Sequence, residues 1–184
     1  MARGLLFLGR RGAGKGTQAA MLARALKVPH ISTGAILRDA VEAGTALGKQ
    51  VESVMAAGDL VSDELVVAIV DERLHEDDAR CGSLLDGVPR NVAQAEALND
   101  AAVDAIGTVR LLEVDSDELV GRLLKRAQDE GRADDNEETI RRRLEVYDNE
   151  TAPLVKHYGD AVITVDGMGS IDEVFARIAL ALAS

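Results

Sequence analysis

An α/β fold, with a parallel five-stranded sheet covered by helices on both faces, is predicted by three features of the sequence. Five short apolar runs are bounded by turn residues, the stretches between them have helical spacing, and a glycine-rich loop joins the first run to the first helical stretch. The runs are Leu5–Leu8, Val28–Ile31, Ser83–Leu85, Val109–Val114 and Ala161–Val165. Strand and helix therefore alternate, and parallel neighbours need crossover connections of helical length. The length of 184 residues suits one domain with a full core and room for small inserts.

The first run leads into Gly9-Arg10-Arg11-Gly12-Ala13-Gly14-Lys15-Gly16-Thr17, and the strong helix formers Gln18-Ala19-Ala20-Met21-Leu22-Ala23 follow. Strand, glycine loop and helix in that order make an anion cradle. The glycines allow successive backbone N–H groups to point at one phosphate near the positive end of a helix. Lys15 is placed to reach the outer phosphates, and Thr17, two residues on, offers the hydroxyl for a magnesium ion. A purely structural turn accounts for the glycines but not for Lys15-Gly16-Thr17.

Further along, Ser62 precedes Asp63 and Glu64 in a first helical turn, with Leu65, Val66, Ile69 and Val70 behind them. Asp115 or Ser116 caps a second helix with an apolar stripe of Leu119, Val120, Leu123 and Leu124, flanked by Arg122 and Arg126. Asp135-Asn136-Glu137-Glu138 has capping-box spacing and opens a helix whose Ile140, Leu144 and Tyr147 share a face. Arg143 lies beside that face, where a charge without an anionic partner is costly. Arg141 and Arg142 point elsewhere. Two stretches read as inserts: Gly34–Leu60, poor in large apolar residues, and the charged Ala127–Asn136. Neither has enough apolar surface to fold alone.

The chain carries 32 acidic and 21 basic residues, a formal charge of −11, which repels nucleic acid and anionic membranes. Polyanionic small molecules must then be drawn in by a local cluster of cations. No run of about 18 apolar residues is present, and Met1-Ala2-Arg3-Gly4 leads straight into the first strand without a signal-peptide pattern. A cytoplasmic location is the expectation. The lone Cys81 cannot form an intrachain disulfide and is expected to pack as a small core residue. His30, His75 and His157 have no metal-ligand spacing and are expected to be structural or at the surface.

Gly-x-x-Gly-x-Gly-Lys-Gly-Thr is the form found in nucleoside monophosphate kinases of the P-loop NTPase type, and nearly the whole chain resembles the adenylate kinase family. The resemblance implies a core of residues 1–31, 62–126 and 137–184, a monophosphate-binding insert at 32–61, and a short lid at 127–136. Ile31-Ser32-Thr33-Gly34 with Arg38 resembles the start of the AMP-binding insert. Its threonine lies near the base and its arginine grips the α-phosphate. Residues 57–61, which include Asp59, Leu60 and Val61, resemble the far end of that insert.

Leu84-Leu85-Asp86-Gly87-Val88-Pro89-Arg90 resembles the family's Asp-Gly-aromatic-Pro-Arg segment. Arg90 is then an AMP-phosphate ligand, and Gln94 a reader of adenine. Arg126, Arg132 and Arg143 resemble the arginines of the lid and its flanking helix.

By this resemblance Lys15, Arg90, Arg126, Arg132 and Arg143 carry catalysis. Gly12, Ala13, Gly14, Lys15, Gly16, Thr17, Arg126 and Gly169 hold ATP. Thr33, Arg38, Asp59, Leu60, Val61, Gly87, Val88, Pro89, Arg90, Gln94, Arg132 and Arg143 hold AMP. Magnesium is expected near Asp86 and Thr17 through water, and the lid, having no cysteine, binds no zinc through thiolates.

The implied reaction moves the γ-phosphoryl group of ATP·Mg²⁺ to AMP and yields two ADP. It needs no nucleic-acid or membrane partner, and a monomer is expected. Arg10-Arg11 stands where family members have a small residue or a proline pair, Ala35 where they have an acidic residue, and Val88 where they have an aromatic. Two alternatives stay open: a sibling kinase for UMP, CMP or another monophosphate, and a nucleotide-binding regulator without turnover. Thr33 and Gln94 favour adenine over the first, since UMP/CMP kinases tend to carry alanine in place of the threonine.

Overall fold

The computed structural model describes residues 4–101, 106–130 and 136–183 of the chain. Its strands are β1 (Gly4–Leu8), β2 (His30–Ser32), β3 (Leu84–Asp86), β4 (Ile106–Glu113) and β5 (Val162–Asp166), joined in one sheet of order β2-β3-β1-β4-β5. Every pairing is parallel. Strand β1 lies at the centre with all five residues buried. The chain passes to β2 and β3 on one side of it and to β4 and β5 on the other, so the loop after β1 opens where the strand order reverses.

Side-chain alternation in β1 divides the core. Leu6 and Leu8 face one layer with Val66, Val70, Leu98 and Leu154, and Leu5 and Phe7 face the other with Ala19, Leu22, Val174 and Ile178. These partners come from α4 (Asp63–Leu74), α5 (Val92–Ala101) and α8 (Pro153–Tyr158) on the first face, and from α1 (Lys15–Leu26) and α9 (Ile171–Ala183) on the second. The expected α/β fold with helices on both faces is thus observed.

The gap between β2 and α4 holds two helices, α2 (Thr33–Glu42) and α3 (Ala46–Ala57), whose Leu37 and Val51 reach into the first core layer. The remaining helices are α6 (Ser116–Glu130) and α7 (Glu137–Val146), followed by a π-helical turn at Tyr147–Thr151. Among the described residues no helix is long and apolar enough to cross a membrane.

Several local expectations shift. β2 begins and ends later than the apolar run Val28–Ile31, and β3 extends to Asp86, because the register His30↔Leu84 and Ser32↔Asp86 is set by the neighbouring strand rather than by hydropathy. The cap of α7 is Asn136, whose side chain accepts from the Thr139 N–H at 2.9 Å, one position later than the capping-box pattern suggested. Residues 127–130 of the expected lid continue α6, and 131–135 lie outside the described residues. Cys81 is exposed, contrary to the expectation of a core thiol. It follows a short 3₁₀ turn at Asp77–Ala79, so the apolar run beside it starts only after the chain has turned inward.

Candidate active site

The loop leaving β1 turns through Gly12 and Gly14, both with positive φ, and Gly14 serves as the N-cap of α1 in a left-handed conformation without a side-chain cap. The first N–H groups of α1 are therefore open to an anion. Lys15 arches back over the loop, donating to the carbonyls of Gly9 at 2.7 Å and Arg10 at 3.1 Å. The loop forms one wall of a cleft of ≈ 1180 Å³ that is also lined by Asp86, Arg90, Arg143 and Gly169. Gly12, Ala13, Gly14, Gly16 and Thr17 line it as well.

Asp86 ends β3 beside this wall. Its Oδ2 would lie 3.5 Å from a Cβ placed on Gly16, it is 3.6 Å from His30 Nε2, and it accepts from the Ser32 hydroxyl at 3.5 Å. Burial works against the Asp86 carboxylate. The nearby His30 ring and the positive charges of Lys15 and Arg90 outweigh that cost, so its pKa lies below the ordinary carboxylate value. An ionised carboxylate and the Thr17 hydroxyl on one cleft fit a hard, oxygen-seeking cation such as Mg²⁺. Among the described residues no group of three or more His, Cys, Asp or Glu could cage a metal by itself. A nucleotide phosphate chain would have to supply the other ligands.

On the opposite side, the segment after β3 meets the start of α2. Thr33 Oγ1 donates to the Gly87 carbonyl at 3.0 Å and Arg90 Nε donates to the same oxygen at 2.8 Å. Above Gly34 the guanidinium groups of Arg38 and Arg90 come together, 3.2 Å and 3.8 Å from a Cβ placed there. Arg143 joins them: burial first, then the charges of Arg143 and Arg38, push the Arg90 guanidinium below its ordinary pKa, with Asp86 opposing. Cations held this close repel one another, and a multiply charged anion relieves that repulsion.

A small cavity of ≈ 30 Å³ adjoins them, lined by Thr33, Asp59, Leu60, Val61 and Gln94 among others. Gln94 is buried. Its Oε1 accepts from the Arg90 N–H at 2.7 Å, and its Nε2 donates to Asp63 at 2.7 Å. An amide has two donors and two acceptor lone pairs, so these two bonds leave one of each.

Lys15, Arg38, Arg90 and Arg143 thus line a single cleft although they are far apart in sequence. Arg126 is on α6 with its side chain outside the described part, and Arg132 lies outside the described residues altogether. Pro89 lines the cleft, joined to Val88 by a cis peptide bond. The side chain of Val88 is fully buried in the first core layer, so only its backbone is available to the cleft.

Sequence reasoning missed His30 and Ser32 as lining residues and left the effect of Arg11, which also lines the cleft, undecided. Ser32 pairs with Asp86 across β2 and β3, so strand order was the signal needed for the first two. Arg142, expected to be plain surface, forms an exposed ion pair with Asp59 at 2.8 Å.

With this geometry in view, comparison with known proteins is decisive. A sequence profile described as "Adenylate kinase" matches residues 7–163. The adenylate kinase of Corynebacterium diphtheriae is 50% identical, the match covering 94% of this chain and 95% of the relative. That of Thermobifida fusca is 49% identical over 98% of both chains. That of Thermus thermophilus is 50% identical over 99% of this chain and 98% of the relative. A parallel sheet, a phosphate loop at its switch point and an arginine cluster facing that loop agree with a likeness that spans the whole molecule, and the chain belongs to the adenylate kinase family.

Proposed function

We propose that this chain catalyses reversible transfer of the γ-phosphoryl group of ATP to AMP, giving two ADP and so balancing the adenine nucleotide pool. One observation carries the reading: Lys15 on the phosphate loop and Arg38, Arg90 and Arg143 on the facing elements line the same cleft. ATP lies with its β- and γ-phosphates on residues 12–17 and its adenosine end toward Gly169. AMP lies with its phosphate on Arg38 and Arg90 and its base against Thr33 and Gln94.

A phosphate oxygen of AMP then attacks the γ-phosphorus in line, the bond to the β–γ bridging oxygen breaks, and ADP leaves with that electron pair. No side chain acts as nucleophile or general base. Lys15, Arg90 and Arg143 neutralise the charge spread over the moving group, and the family resemblance adds Arg126 and Arg132 to this set. Guanidinium groups suit the task because a fixed fork gives paired hydrogen bonds to phosphate oxygens. Asp86 and Thr17 would hold Mg²⁺ through water, and the ion would supply further charge neutralisation. Closure of the segment 32–61 over the bound pair excludes water, which would otherwise take the phosphoryl group.

The formal charge of −11 supports small-molecule partners rather than nucleic acid or membrane. Because one chain supplies both sides of the cleft, the reading needs only a monomer, and a cytoplasmic location is proposed with it. A panel of AMP, UMP, CMP and GMP with ATP and magnesium tests the assignment by coupled detection of diphosphate. AMP is expected to react fastest. Preference for a pyrimidine monophosphate would reassign the substrate, and tight ATP binding without any ADP would leave a regulator.

A further inference from the structure

The phosphate loop carries two adjacent arginines whose side chains part. Arg10 swings outward, its Nη2 2.7 Å from Asp148 in the π-helical turn after α7. Arg11 lines both the main cleft and the small cavity beside Thr33 and Gln94. Among the described residues four basic side chains line both spaces: Arg11, Arg38, Arg90 and Arg143. Three of these already have a part in holding the acceptor phosphate; Lys15, by contrast, lines the main cleft alone.

We infer that Arg11 is a further binding residue for the acceptor monophosphate, reaching to it from the donor's own loop. The inference rests on the proposed reaction and adds a residue to its acceptor site. The donor phosphates are already met by loop N–H groups and Lys15, so Arg11 is placed for the anion on the other side of the loop. Its fork can share oxygens of that phosphate with Arg38 and Arg90. A chain of formal charge −11 repels a monophosphate dianion at long range, and a fourth guanidinium offsets this at the point of contact. The family pattern described above has a small residue or proline here, so that pattern does not assign this role to the position.

Arg11→Ala and Arg11→Lys test it through steady-state kinetics and through calorimetric binding of AMP alone and of ATP alone. For Arg11→Ala the KM and Kd for AMP should rise about ten-fold, the size expected for one charge-assisted hydrogen bond. The Kd for ATP should stay within about two-fold, which also shows that the loop is intact. Arg11→Lys should recover part of the loss, because charge returns without the fork. The AMP affinity of Arg11→Ala should also fall less steeply with added KCl than that of the parent.

Unchanged AMP affinity, or equal losses for AMP and ATP, overturns the inference, the second outcome meaning that Arg11 only shapes the loop. Failure of the parent enzyme to make ADP would strike the proposed reaction instead. AMP binding would still report on Arg11.

Discussion

Lys15 illustrates how much one side chain can be read from its neighbours in sequence. Its place after Gly12-Ala13-Gly14 predicts a phosphate ligand, and its hydrogen bonds to the Gly9 and Arg10 carbonyls keep the ammonium over the loop. Lys15→Ala is expected to lower turnover by about 10²–10³-fold through lost charge stabilisation. Its circular dichroism should match the parent's, because Lys15 lies outside both apolar core clusters.

Tyr158 is the opposite case, unremarked in sequence and unusual in space. Its hydroxyl has no hydrogen-bond partner among the described residues, and burial pushes its pKa up to about 12. The sign follows from the raised value. The neutral phenol favours the folded state fully below the unfolded pKa near 10, and that contribution is lost as pH climbs from about 10 through about 12. Tyr158→Phe should leave stability at pH 7 unchanged or raise it by up to about 1 kcal/mol, since an unsatisfied polar atom is removed. Urea midpoints measured across pH 9–12 should show a weaker alkaline decline in the variant. An unaltered decline would mean that the group titrates elsewhere.

At the scale of elements, the insert between β2 and α4 shows what spacing alone conceals. Its scarcity of large apolar residues marked it as an insert that cannot fold alone, and its small residues allow α2 and α3 to pack at backbone contact: a Cβ on Gly48 would lie 2.0 Å from the Ala40 carbonyl oxygen. The helix pair is then fastened to the core by Leu37 and Val51. Gly48→Ala must push the helices apart, and a loss of about 2 kcal/mol is expected from overpacking, partly offset by better helix propensity. The KM for AMP should rise while the KM for ATP holds, because only α2 carries Thr33 and Arg38. Parallel kinetics of the two nucleotides would contradict this division of labour.

The C-terminal end of α3 docks on α7, where Arg143 donates to the Met55 carbonyl at 3.1 Å and Thr139 to that of Ala56 at 3.3 Å. Cationic donors at a helix C-terminus are favourable. The nearby Arg142–Asp59 pair is exposed on both sides, where water and salt screen it. It therefore orients the insert more than it stabilises the fold.

Across the whole molecule, the last helix is tied to the sheet by a residue that a strand pattern would not single out. Arg110 sits in β4 almost wholly buried, and its Nη2 donates to the Ala181 carbonyl near the end of α9. Desolvation lowers its pKa, yet the guanidinium remains charged at any working pH. Arg110→Ala should cost about 2 kcal/mol in urea denaturation, with the helix end left uncapped and the side-chain stem removed. Arg110→Met should cost less, because it refills the apolar part.

What the sequence determined by itself was everything governed by local periodicity: the strand–helix alternation, the glycine loop with Lys15, the helix beginning after Ser62, and the placing of Arg143 beside an apolar face. These depend on residues a few positions apart. The tertiary structure alone decided that β3 lies between β1 and β2, bringing His30 and Ser32 to Asp86, and that Arg10 reaches Asp148 while Arg11 lines the cleft. It also decided that the Val88 side chain packs in the core. Contacts between distant parts of a chain follow from strand order and the close packing of side chains, neither of which leaves a repeat in the sequence to be read.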